Sequence, residues 1–159
     1  MLHFGFDPCR LFAWENLTLE LQSNLKVKKL TVLIDLATRN VLVQNHELVQ
    51  ITDFGLAKML ERRDEDQVVV WSGRVPIRWL AIETLQYGVY SHRTDVWSYG
   101  VTLWEIFTYG QRPYGNVDTN GIKDYVMKGG RLTQPDICTL DVYMVMVKCT
   151  FNLTYLDIK

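Results

Sequence analysis

Residues 94–110 read TDVWSYGVTLWEIFTYG. Val96, Trp97, Tyr99, Val101, Leu103, Trp104, Ile106 and Phe107 are spread over every side of a 3.6-residue helix. A helix apolar all round is buried all round, so this segment predicts the central helix of a mainly helical domain. Thr94 or Asp95 is the candidate cap and Gly110 the candidate stop. Asp95 is thereby brought close to the core, where a carboxylate must find hydrogen-bond donors.

Working outward, AIETLQYG (81–88) reads as a short helix stopped by Gly88. Ile122 to Lys128, closed by Gly129-Gly130, and Thr139 to Cys149 read as two more. NVLVQNHELVQIT (40–52) reads as two short strands about a polar turn. Residues 11–30 place Leu11, Trp14, Leu17, Leu21 and Leu25 near one helical face, and ERRDED (61–66) reads as a solvated loop. The expected class is α+β, mainly helical, with a small β-hairpin.

Composition narrows the function classes. A chain of 159 residues, 48% hydrophobic, is long enough to bury one core. Its 17 basic and 18 acidic residues leave no basic stripe for nucleic acid. Cys9, Cys138 and Cys149 lack metal-ligand spacing and read as thiols of a reducing compartment. No apolar run approaches the roughly 20 residues of a membrane span, and MLHFGFDPCR does not read as a signal peptide. The expected chain is soluble and cytoplasmic, with no nucleic acid partner and no membrane span.

Two stretches carry chemistry. In LIDLATRN (33–40) an Asp is followed five positions later by Asn, and ITDFGLAK (51–58) contains Asp-Phe-Gly. Taken singly, Asp35, Asn40 and Asp53 are turn residues. Together they form an arrangement that handles magnesium and phosphate.

DLATRN, DFGLAK, VPIRWLAIE, SHRTDVWSYGVTLWEIFTYGQRPY and ICTLDVYMVMVKC follow one another in the order of the C-terminal lobe of protein kinases. The chain resembles receptor tyrosine kinases of the epidermal growth factor receptor family over residues 31–149. Residues 1–30 and 150–159 match poorly. The resemblance implies a kinase C-terminal lobe that uses ATP and Mg2+ to phosphorylate tyrosine in protein substrates. It implies that Asp35 accepts the substrate hydroxyl proton, that Asn40 and Asp53 ligate metal, and that Leu42 and Thr52 line the adenine side of the cleft. Phe54 is expected to pack inward and set Asp53, with Gly55 allowing the turn. A Lys two positions after the catalytic Asp marks serine/threonine kinases, and Ala37 stands there instead. Arg39 matches the tyrosine-kinase arrangement, in which its guanidinium bonds the phenolic oxygen and Asp35. Pro76 is expected to offer a platform for the substrate ring, and Trp79 to anchor that docking loop.

The chain departs from the family at Leu33-Ile34, where relatives carry His-Arg. That Arg pairs with a phosphorylated tyrosine between the Asp-Phe-Gly and the docking loop, yet no tyrosine lies between Gly55 and Trp79. The two losses agree, and the base Asp35 is retained. No Gly-rich phosphate loop and no strand Lys precede it, so this chain alone is expected to be inactive. Glu83 ordinarily pairs with an Arg whose aligned position here is Asp157; unpaired and buried, it is expected to destabilise the fold.

The resemblance also implies an alternative. In this family one kinase domain docks on and activates another through the helix resembling DVYMVMVKC. Leu140, Met144 and Val147 fall on one stripe that faces either a receptor kinase dimer partner or the core. A catalytically incompetent fragment that regulates another receptor kinase would use that stripe. The parent receptor is expected at the cytoplasmic side of the plasma membrane.

Overall fold

The computed structural model describes residues 31–45, 48–60, 67–70, 73 and 75–151. The helix expected over 11–30, the loop 61–66 and position 157 lie outside them. Among the described residues there are six short strands: β1 (Thr31–Val32), β2 (Val41–Val43), β3 (Val49–Ile51), β4 (Lys58–Met59), β5 (Gln67–Val69) and β6 (Val89–Ser91). The α-helices are α1 (Ile82–Tyr87), α2 (His92–Phe107), α3 (Ile122–Met127) and α4 (Leu140–Cys149).

The strands form three antiparallel pairs, β1 with β4, β2 with β3 and β5 with β6. Val41 faces Ile51 and Val43 faces Val49, which is the expected hairpin. The other two pairs involve residues far apart in sequence. They fasten the segment after Asp-Phe-Gly at Lys58–Met59 and again at Gln67–Val69. Ile34 joins Val32, Leu60, Leu80 and Tyr90 in a cluster that Val68, Val70 and Val75 extend. Apolar contacts therefore surround Ile34.

Helix α2 is central. Trp97 and Val101 pack with Ala81, Tyr114, Ile122 and Val126 on one side. Leu103 and Trp104 pack with Cys138, Val142 and Met146 of the α4 region on another. Burial is not complete, since Ile106 near the C-terminal end is exposed. The helix also starts earlier than expected. Its cap is Ser91, in extended backbone at the end of β6, and Thr94 is the reciprocal member of a capping box. The Thr94 hydroxyl accepts from the Ser91 N–H at 3.0 Å. At the other end the Gly110 N–H returns to the Glu105 carbonyl at 2.8 Å, with Gly110 at φ +83°. Gly88 likewise stops α1 in the left-handed region.

Candidate active site

The loop before Asp35 is built around a strained turn. The Asp35 N–H bonds the Leu33 carbonyl at 2.8 Å, which closes a γ-turn on Ile34 at φ +69°. A β-branched residue is disfavoured there. Two forces hold it. The Ile34 side chain is buried in the cluster described above. The Asp95 carboxylate accepts the Leu33 N–H at 2.8 Å and the Ile34 N–H at 3.1 Å. The donors that Asp95 needs are thus the backbone of the loop. Burial pushes the Asp95 carboxyl up to about 6, against the opposing pull of those two bonds.

Beyond Asp35 the chain makes a 3-10 turn, Thr38–Asn40. Arg39 reaches back four positions and pairs with the Asp35 carboxylate. The Asn40 side-chain nitrogen donates to the Asp35 carbonyl at 2.8 Å, which fixes the direction of its amide oxygen. The Asn40 carbonyl accepts both the N–H and the hydroxyl of Thr52, at 2.8 and 3.1 Å. The β2–β3 register that pairs Val41 with Ile51 therefore brings Asn40 and Asp53 to the same open end of the hairpin.

Asp53 is exposed, in left-handed backbone at φ 57°, and its carboxylate accepts the Gly55 N–H at 3.2 Å. Phe54 does not pack inward as expected. It is 45% exposed and belongs to none of the three buried clusters, because the 3-10 turn Phe54–Leu56 carries it away from them. Leu42 is 55% exposed on the hairpin. Glu83 is half-buried rather than buried; desolvation raises its carboxyl, while its own backbone N–H and the charge of Arg93 lower it.

Pro76 sits in the γ-turn geometry common in loops, φ -77° and ψ 71°, with the Ile77 N–H on the Val75 carbonyl. The turn behind it is anchored by Arg78, whose buried guanidinium donates to the carbonyls of Pro113, Tyr114 and Val117. The Arg39 guanidinium lies 4.8 Å from the centroid of the Trp79 ring.

Three residues of this arrangement escaped sequence reasoning. Ser98 donates to the Trp79 carbonyl, Thr102 to the Leu36 carbonyl, and Glu105 accepts from Thr38 and Trp79. With Asp95 they recur at i, i+3, i+7 and i+10, one polar stripe on an otherwise apolar helix. Glu105 carried a legible signal, because a charged residue inside a buried helix must be satisfied.

Leu140 and Met144 are 63% and 42% exposed, whereas Val142 and Met146 supply the buried face of α4. Val147 is half-buried. The stripe named from the sequence is therefore largely outside the core. Among the described residues no helix is long and apolar enough to cross a membrane.

Asp35, Arg39 and Asn40 thus share one loop, an Asp-Phe-Gly follows the adjoining hairpin, and Trp79 of the turn after Pro76 lies against Arg39. A family profile described as protein tyrosine and serine/threonine kinase matches residues 25–153, and the chain belongs to that family. Among individual proteins it is 55% identical over 115 residues to the epidermal growth factor receptor of Apis mellifera. It is equally similar to the human receptor tyrosine-protein kinase erbB-4, and 52% identical to erbB-2 of Mesocricetus auratus. Each alignment covers 72% of this chain and 9% of the relative, so the chain spans a small part of the curated relatives it matches.

Proposed function

We propose that residues 31–149 form the C-terminal lobe of a receptor tyrosine kinase domain, with 1–30 and 150–159 as divergent flanks. The observation that carries this reading is the pinning of Asp35: Arg39 on its carboxylate, Asn40 on its carbonyl. In this reading Asp35 takes the proton of a tyrosine hydroxyl, and Arg39 steadies the same oxygen. Asn40 and Asp53 offer an amide and a carboxylate oxygen, hard ligands that suit magnesium. Among the described residues no group of three His, Cys, Asp or Glu gathers. Two protein ligands fit an ion that completes its shell with phosphates and water. Bound Mg2+ and ATP would supply the phosphoryl group and neutralise its charge. Leu42 and Thr52 would face the adenine, and Pro76 the substrate ring. The whole protein would act at the cytoplasmic face of the plasma membrane. Arg39, with Ala37 in place of Lys, favours tyrosine over serine or threonine.

The test is Asp35→Asn in the protein with a complete nucleotide cleft. Tyrosine phosphorylation should fall by at least 100-fold with ATP binding retained. Unchanged turnover would remove Asp35 from its role.

The exposure of Leu140 and Met144 favours a second reading, in which α4 docks on another receptor kinase. Met144→Arg should then leave the melting temperature unchanged and abolish activation of the partner. A lowered melting temperature with activation intact would return the stripe to the fold.

A further inference from the structure

We propose that Glu105 is a positioning residue that aims the Trp79 ring at Arg39, and so couples the docking loop to the catalytic base. The inference rests on the kinase reading of Asp35 and Arg39.

Glu105 is 7% exposed, and its carboxylate collects three donors from two separate segments. One oxygen accepts the Trp79 indole Nε1–H at 2.7 Å and the Thr38 N–H at 3.2 Å. The other accepts the Thr38 hydroxyl at 2.9 Å. Thr38 immediately precedes Arg39. One carboxylate therefore fixes both the backbone from which Arg39 departs and the ring beneath its guanidinium. The circuit then closes through the Arg39 pair with Asp35.

A satisfied buried carboxylate could serve stability alone. The geometry argues for more, because the Arg39 side chain is 44% exposed. A long side chain that open to water keeps its rotamer freedom unless something holds it. Among the described residues, the Trp79 face and Asp35 do so. An indole N–H donating to an anionic oxygen has an electron-richer ring, which binds a cation more strongly. Gln at 105 keeps the size but presents an NH2 where one oxygen now accepts, so it cannot receive all three bonds. A docking loop displaced by the wrong substrate would move Trp79, loosen Arg39 and leave Asp35 without its partner. Selection of the substrate ring at Pro76 and Trp79 is thereby passed to the reacting end.

The experiment has two readouts. In the 159-residue chain, Glu105→Gln and Trp79→Phe are compared with the parent by NMR of the Arg39 Nε–H. Both variants should exchange that proton with water about tenfold faster. In the protein with a complete cleft, both should raise the KM for a tyrosine peptide about tenfold and lower kcat, with the KM for ATP unchanged. Unaltered Arg39 exchange and peptide KM, with only a lower melting temperature, would reduce Glu105 to a structural residue. If Glu105→Gln does not fold, Trp79→Phe, which keeps an aromatic face while losing the pyrrole ring and its N–H donor, decides the matter. If the parent phosphorylates no tyrosine, the kinase reading fails while Arg39 exchange still tests the circuit.

Discussion

The loop 33–40 and the hairpin 41–51 are joined through Asn40 and Thr52, yet they are held in opposite ways. Among the described residues the loop is anchored by Asp95 on Leu33 and Ile34, Thr102 on Leu36 and Glu105 on Thr38. Its apolar residues Ile34, Leu36 and Ala37 are buried. The hairpin instead exposes Leu42, Val43 and Val49, and the segment after it Phe54 and Met59. Single exposed apolar residues are ordinary, but so many on one short segment form an apolar patch. The difference separates a loop fixed by buried partners from a segment whose apolar side chains stay open. The loop's geometry is set by named buried partners, whereas the apolar side of the hairpin has none among the described residues.

The strongest way to break the contrast is Asp95→Ala. It leaves the Leu33 and Ile34 N–H groups without acceptors inside a strained turn. Two unsatisfied donors cost about 4 kcal/mol together. Denaturant melts should show that loss, and amide exchange at 33 and 34 should accelerate toward the unfolded rate. A melt within about 1 kcal/mol of the parent would mean that the loop is held by Ile34 burial alone.

Acidification probes the same carboxylate. Its folded value of about 6 exceeds the ordinary 3.8, so the native state binds the proton more tightly than the unfolded chain. The stability contributed by this group is present in full below about pH 4 and is lost as pH rises through about 6. The span corresponds to about 3 kcal/mol. The parent should therefore gain that much, relative to Asp95→Asn, between pH 7 and pH 4. Parallel pH profiles for the two proteins would show that Asp95 is not desolvated.

What was legible in the sequence follows the same division. The apolar repeat of residues 96–107 located the central helix, because burial leaves a periodic record. Asp95 could be marked as needing donors, although the donors lie 62 and 61 positions away and nothing local names them. The cap was misplaced because Ser91 ends a strand whose partner, β5, is distant in sequence. Phe54 was expected inward from the family resemblance, and its exposure here follows the local 3-10 turn. Glu105 was passed over within VTLWEIF, where five apolar residues conceal the one charge linking two loops.

Packing of α2 against α4 gives a smaller effect. A Cβ at Gly100 would stand 2.7 Å from the Cys149 Cβ and 3.2 Å from the Met146 carbonyl oxygen. Neither contact is with the loose end of a flexible side chain, so the helices must separate. Overpacking of this kind costs about 2 kcal/mol. Gly100→Ala should lower stability by that amount while leaving exchange at Leu33 and Ile34 slow, since Asp95 lies on another face. Faster exchange there would show that the loop depends on the α2–α4 spacing as well.

The smallest effect is the most informative about the hairpin. Leu42 pairs with Gln50 across β2 and β3 and remains 55% exposed. Leu42→Ser should therefore change the stability of this chain by no more than about 0.5 kcal/mol. If Leu42 faces the adenine as proposed, the same change would remove an apolar wall from the nucleotide and should weaken ATP binding about tenfold, close to the value of one buried methylene or two. A loss of several kcal/mol in the isolated chain would reverse the argument. It would mean that the exposed side of the hairpin is satisfied within this chain, and that Leu42 is core rather than part of an open apolar patch.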